Sequence, residues 1–174
     1  VLEHEEGRPQ TLQPGDEVFG FAAGSLAQLV CVPAGQFVRR PASLSLEEAA
    51  TVPEAAMTAL QGLRDHGRVQ PGQRVLVIGA SGGVGTFAVQ IAKAFGAEVT
   101  GVCSTAKTDI VRSLGADHVI DYTQQDFTRG TQRYDVIVDN VSTQSFLKVK
   151  DVLTPDGRYV IVGGNSKDRW LGAL

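Results

Sequence analysis

The chain has 174 residues with a formal net charge of −3, which allows one good core, or one domain with part of another, and excludes a broad basic face for nucleic acid. Two cysteines, Cys31 and Cys103, are too few for a disulfide-built scaffold and fit a reducing, cytoplasmic setting. No apolar run approaches the ~20 residues of a membrane span, and the acidic start Val1-Leu2-Glu3-His4-Glu5-Glu6, without Met, reads as a processed product or an excised segment rather than a signal peptide.

Residues 1–14 are polar, and Pro14-Gly15-Asp16 is a turn signal. Glu17 to Phe21 and Leu26 to Val32 then read as short strands, separated by Ala22-Ala23-Gly24-Ser25. Pro33-Ala34-Gly35 turns the chain into a further short strand, Gln36 to Arg39. This β-rich stretch is too small for an independent barrel, because small sheets bury too little apolar surface. Ser45-Leu46-Glu47-Glu48 has the Ser-x-x-Glu spacing of a capping box and predicts a helix start. Proline is costly inside a helix, so the pattern predicts one short helix and then a second with Pro53 in its first turn. The second helix carries Ala56, Leu60 and Leu63 on one face, closes at Gly67, and leads into the turn Pro71-Gly72.

The most informative stretch follows. Val75 to Ile78 is a continuous apolar run, as in a parallel strand buried on both faces. Ala80-Ser81-Gly82-Gly83-Val84-Gly85 fits G-x-G-x-x-G with Ala in the first place. An apolar stripe at helical spacing then runs through Val84, Phe87, Ala88, Ile91, Ala92 and Phe95 to a stop at Gly96. Strand, glycine turn and helix in that order are what a dinucleotide fingerprint requires. Gly82 lets backbone approach a pyrophosphate, Gly85 lets the helix pack near the strand, and the helix N-terminus adds oriented N–H groups.

The pattern repeats beyond it. Ala97 to Val102 is a strand, Ala106 to Leu114 a helix stopped by Gly115, and His118-Val119-Ile120 a short strand. Tyr134 to Asp139 is another strand, and Thr143 to Leu153 a helix. Pro155-Asp156-Gly157 turns into the strand Arg158 to Val162. Five strands alternating with helices predict an α/β, doubly wound parallel sheet, one strand short of the usual order 3-2-1-4-5-6.

From Pro14 to Asn165 the chain resembles the zinc-free quinone oxidoreductase (zeta-crystallin-like) branch of the medium-chain dehydrogenase/reductase superfamily. The matching pieces are Gly15 to Gly20, Glu48-Ala49-Ala50, Met57-Thr58-Ala59, Ser81 to Gly85, Leu114-Gly115-Ala116-Asp117 and Val119-Ile120-Asp121-Tyr122. The resemblance implies a remnant of a GroES-like barrel over 1–44, interdomain helices over 45–67, and an incomplete Rossmann domain over 68–174. It further implies a truncated member whose intact form is a homodimer and reduces a quinone, an activated alkene or a carbonyl with NADPH. The edge left at Arg158 to Val162, or the exposed barrel remnants, is expected to promote dimerisation or aggregation.

Cofactor choice can be read partly from chemistry. NAD sites place an acid about 20 residues past the glycines, on the ribose 2′-hydroxyl. Here the second strand runs into Val102-Cys103-Ser104-Thr105-Ala106-Lys107, with no acid before Asp109. A 2′-phosphate then meets no repelling carboxylate, Ser104 can donate a hydrogen bond, and Lys107 supplies a charge. The resemblance assigns the 2′-phosphate to Ser104, Lys107 and Tyr122, and puts Thr58 beside the nicotinamide. Asn140, Val141, Gly163, Gly164 and Asn165 follow strands at their carboxyl ends, where ligands of such sheets bind.

No metal motif is readable. His4, His66 and His118 are far apart and each cysteine is solitary, whereas zinc needs three or four clustered ligands. Cys31 is expected to be a buried strand residue and Cys103 a strand-end packer. No general acid stands out, in keeping with a reaction whose chemistry belongs to the cofactor. Two other readings are a non-catalytic nucleotide-binding or scaffold module, and a relative of the NAD(P)-dependent alcohol dehydrogenases.

Overall fold

The computed structural model describes residues 11–163, which fall into two compact units, one ending at Glu54 and one starting at Ala55. In the first unit, β1 (Val18–Gly20) pairs antiparallel with β2 (Phe37–Arg39), with Phe19 opposite Val38. Arg39 bonds Asp16 at 2.9 Å and Arg40 pairs with Glu17. The strand expected from Leu26 to Val32 does not form, and Leu26, Leu29 and Cys31 are exposed instead. Its apolar residues suit a strand, but a strand needs a neighbour for its N–H and C=O groups, and none pairs with it among the described residues.

α1 (Leu46–Leu60) starts at the expected capping box. The Glu48 N–H donates to Ser45 Oγ at 3.1 Å, and the Ser45 N–H donates to the Glu48 carboxylate at 2.8 Å. The two expected helices are one, running straight through Pro53. Proline removes one intrahelical bond, but its fixed φ is helical, and the strong helix formers around it carry the helix on.

In the second unit α1 widens into a six-residue π-helical turn, Gln61–His66. The Gly67 N–H closes it on Gly62 O at 2.8 Å and the Val69 N–H on Leu63 O at 3.0 Å. The left-handed residue of this ending is Arg68, at φ 49°, rather than Gly67.

The expected five-stranded parallel sheet is present: β3 (Arg74–Ile78), β4 (Glu98–Cys103), β5 (His118–Asp121), β6 (Tyr134–Asp139) and β7 (Leu153–Ile161), in the order β5-β4-β3-β6-β7. Val75, Val77, Val99, Val136 and Val138 face one core with Ala88, Val89 and Ala92 of α2 (Gly83–Ala94). Leu76, Ile78, Val102 and Ile137 face the other with Val149 and Val152. Most of these are fully buried, each Val, Leu or Ile side chain worth roughly 1.5–3 kcal/mol, so the sheet is a rigid platform for the loops at its carboxyl edge. The chain order reverses between β3 and β6, the switch point where such sheets bind ligands.

Two elements differ from expectation. The helix expected over Thr143 to Leu153 is only α4 (Phe146–Lys150), and Leu153 already belongs to β7. α4 starts only after Ser145, whose backbone is extended (φ −68°, ψ 145°), while just upstream the Asp139 carboxylate takes the N–H groups of Val141 and Ser142. The Pro155-Asp156-Gly157 turn is a register shift inside β7, between the pairs Tyr134–Leu153 and Val136–Arg158. The third remaining helix, α3 (Thr108–Ser113), follows a short 3-10 turn at Thr105–Lys107.

Candidate dinucleotide site

The turn after β3 owes its shape to two glycines. Gly79 has φ +76°, and a Cβ there would sit 2.5 Å from Val141 Cγ2. Its N–H and that of Ala80 both donate to Val102 O, at 3.1 and 3.0 Å, which folds the turn over the end of β4. The tight turn is therefore made by Gly79, one residue before the first place of the glycine pattern, and Ala80 in that place is fully buried. At Gly85 a Cβ would lie 2.1 Å from Gly79 O, so the helix can approach the strand only without a side chain.

Gly82 and Gly83 are different. Neither has a left-handed φ; a Cβ on Gly83 meets nothing within 4 Å, and one on Gly82 meets only Gly79 O at 3.4 Å. The fold tolerates side chains at both positions. Their absence leaves a bare cradle at the start of α2, whose first turn holds no acidic residue. Such a cradle fits an anionic group that must reach backbone N–H donors.

A cavity of about 890 Å³ opens over it. Its walls are Ser81 to Gly85, the β4 exit at Cys103 and Ser104, the β5 exit from Tyr122 to Phe127, and the β6 exit at Asn140, Val141, Thr143 and Gln144. The structure thus brings together Ser81, Gly82, Gly83, Val84, Gly85, Ser104, Tyr122, Asn140 and Val141. Lys107 is exposed in the 3-10 turn after Ser104, and its N–H donates to Ser104 O at 2.9 Å. Gly163 backs the wall, since a Cβ on it would be 2.7 Å from Asn140 O. Thr58 is half-buried in α1 and is not part of the wall. Gly164 and Asn165 lie outside the described residues.

Near the β4 exit the structure adds an acid that sequence reasoning missed. No carboxylate ends β4, but Asp121 lies opposite Cys103 on β5. Asp121 Oδ2 accepts from Thr105 Oγ1 at 2.5 Å and Gln124 Nε2 at 2.8 Å. Oδ1 accepts from the Thr123 N–H at 2.9 Å and Thr123 Oγ1 at 2.7 Å. These bonds, the one from Thr105 foremost, hold the carboxyl below its usual range and keep it ionised. Both oxygens point into this network, which ties the β4 and β5 exits together. Search along β4 alone could not find it; the parallel β4–β5 register could. Burial raises the Cys103 thiol, with Asp121 adding to the shift, so it stays a neutral packing group.

At the β6 exit, Asp139 is fully buried. Its Oδ1 accepts the Val141 and Ser142 N–H groups at 3.0 and 2.7 Å, and Oδ2 accepts Tyr159 O–H at 2.6 Å. Burial, then the Asp139 charge and hydrogen bond, push the Tyr159 hydroxyl well above the usual tyrosine range. Asn140 Nδ2 donates to Ile78 O at 2.9 Å, and its Oδ1 is buried without a hydrogen-bond partner in the pocket wall. An orphaned acceptor of this kind fits a ligand donor, such as a ribose hydroxyl or a carboxamide N–H.

Among the described residues no group of three or more His, Cys, Asp or Glu could hold a metal ion. The described side chains therefore do not fit a zinc centre. Among the same residues no helix is long and apolar enough to cross a membrane. The cavity's glycines, amides and hydroxyls are suited to binding and orienting an extended, phosphate-bearing ligand.

The family described as "Zinc-binding dehydrogenase" matches residues 83–170. Human "NAD(P)H oxidoreductase RTN4IP1, mitochondrial" is 41% identical over 140 residues, covering 74% of this chain and 35% of that protein. "Trans-enoyl reductase pgmF" of Aspergillus terreus (strain NIH 2624 / FGSC A1156) is 39% identical over 190 residues, covering 95% of this chain and 52% of that one. Among solved structures, CurK enoyl reductase superposes with a TM-score of 0.81 at 33% identity, over 92% of this chain and 52% of its own. The chain spans only about a third to a half of the length of these relatives. By the family match, the parallel sheet and the glycine turn, the chain belongs to the zinc-binding dehydrogenase family of the medium-chain dehydrogenase/reductase superfamily, whose oxidoreductases bind a nicotinamide cofactor.

Proposed function

We propose that the chain is the NADPH-binding portion of an oxidoreductase that passes hydride to a quinone, an activated alkene or a carbonyl. The observation that carries this is the bare Gly82-Gly83 cradle beside a β4 exit that ends in Ser104 rather than an acid. The cradle and α2 N-terminus receive the pyrophosphate. Ser104, Lys107 and Tyr122 hold the 2′-phosphate; Ser104 and Tyr122 already line the cavity. Asn140 and Val141 orient the nicotinamide half, joined by Thr58, Gly163 and Asn165 on the strength of the family resemblance.

The bound cofactor supplies the hydride. This chain binds it, turns one ring face toward the acceptor, and excludes water behind the β6 exit. We assign no catalytic acid to it. Residues 1–44 are read as part of a GroES-like domain, 45–67 as interdomain helices and 68–174 as the Rossmann domain. Acceptor contacts come from the rest of a homodimeric enzyme, so this chain alone turns over slowly or not at all. The enoyl reductases among its relatives favour an activated alkene as acceptor. The free cysteines favour a reducing compartment such as the cytoplasm.

Calorimetric titration of the chain with NADPH and NADH tests the reading. NADPH is expected to bind roughly tenfold or more tightly. Equal affinities would overturn the cofactor assignment, and robust turnover of an enone or quinone by this chain alone would overturn the division of labour.

A further inference from the structure

We propose that Asp139 and Tyr159 are positioning residues, a buried clamp that sets the Asn140–Ser142 wall against which the nicotinamide half of the dinucleotide rests. The proposal rests on the cofactor reading above and assigns a role to two residues that never face the ligand.

In a doubly wound sheet the adenosine half lies over the strands on one side of the switch point and the nicotinamide half over those on the other. Here the β6 exit serves the second half, and its shape is not that of a relaxed loop. Ser142 sits at φ 51°, a conformation costly for a residue with a side chain. Val141 is pressed against Gly79, where there is no room for a Cβ. Ser142 Oγ donates to Gly163 O at 2.5 Å.

The group holding this arrangement is the Asp139 carboxylate, with no exposed surface and three donors: two backbone N–H groups of the wall and the Tyr159 hydroxyl. A buried carboxylate is tolerated only when its lone pairs are occupied. The Tyr159 hydroxyl keeps its proton across the physiological range and is therefore always the donor. It is anchored on β7, in the rigid sheet, where Tyr159 pairs with Ile137. The clamp thus transfers the position of β7 through one carboxylate to two consecutive peptide groups of the wall. Tyr159→Phe removes one bond while keeping the ring and its stacking on Phe146.

The test uses two probes: NADPH, and adenosine 2′,5′-bisphosphate, which occupies the adenosine half only. Tyr159→Phe is expected to weaken NADPH roughly three- to tenfold and to leave the bisphosphate within about twofold of its original affinity. Asp139→Asn, if it folds cooperatively, shows the same selective loss, because its amide can no longer accept at both atoms. General loosening of the fold would weaken both probes alike, and that result overturns the proposal, as does no change in either. Wild-type chain that binds the bisphosphate as tightly as NADPH also overturns it, since the nicotinamide half would then contribute nothing. Wild-type chain that binds neither probe fails the cofactor reading, and the clamp with it.

Discussion

Replacing Gly83 by alanine separates what the fold requires of the glycine turn from what a ligand requires. A Cβ at residue 83 has nothing within 4 Å, and the residue is the first of α2, with an unstrained φ. Alanine there loses less chain entropy on folding and favours the helix, so Gly83→Ala should stabilise by about 0.5–1 kcal/mol. For a domain of this size that is a rise of roughly 1–4 °C in melting temperature. The same methyl group stands where a pyrophosphate would approach the N–H groups, so NADPH affinity should drop by about tenfold or more. Gly85→Ala is the control: its Cβ would be 2.1 Å from Gly79 O and 2.8 Å from Ala80 Cα, and the backbone there cannot yield. That variant should lose on the order of 2–3 kcal/mol or fail to fold. Urea melts and calorimetric titration on the three proteins decide the matter. A Gly83→Ala protein that binds NADPH as well as the parent would refute the cradle, and one that is strongly destabilised would refute the steric account.

Lys107→Ala should narrow the NADPH–NADH affinity ratio by about three- to tenfold, less at high salt, because the lysine is exposed; an unchanged ratio removes it from the 2′-phosphate site. Arg68→Gly should raise stability by about 0.5–1 kcal/mol in a urea melt, since Arg68 occupies a left-handed position that glycine adopts freely. Asp121 has its carboxyl lowered in the fold, so its contribution to stability is present above the ordinary carboxylate value of 3.8 and is lost as pH falls through the lower folded value. Asp121→Asn should therefore flatten the acid end of the stability profile below about pH 4, and an unchanged acid limb would show that the network with Thr105 and Thr123 contributes little.

The sheet was legible because its strands advertise themselves. Val75 to Ile78 and Val136 to Val138 are apolar on both faces, and α2 and α3 stop at glycines, Gly96 and Gly115. What stayed hidden depends on partners distant in sequence. Leu26 to Val32 has strand composition, yet no neighbouring strand meets it among the described residues. Thr143 to Ser145 fall within the expected helix, but Ser145 is extended and α4 begins only after it. Pro53 has a poor helix propensity that its neighbours override. In the site, the glycine turn and the β6 exit follow from strand ends. Asp121 at the end of β5, and Thr123 and Gln124 just beyond it, could not be found that way, because such polar residues show no period and acquire their place only through the β4–β5 register.

The contact between Gly79 and Val141 has an evolutionary consequence. One residue shapes the phosphate turn and the other the far wall, and Val141 Cγ2 fills the volume that a side chain at 79 would claim. Neither position can drift alone. Across homologous sequences, a residue other than glycine at 79 should be confined to asparagine or aspartate, which tolerate φ near +76°, and should appear together with alanine or glycine at 141. The two ends of the ligand groove thus form a single heritable unit, and grafting either one onto a related scaffold should succeed only when the other travels with it.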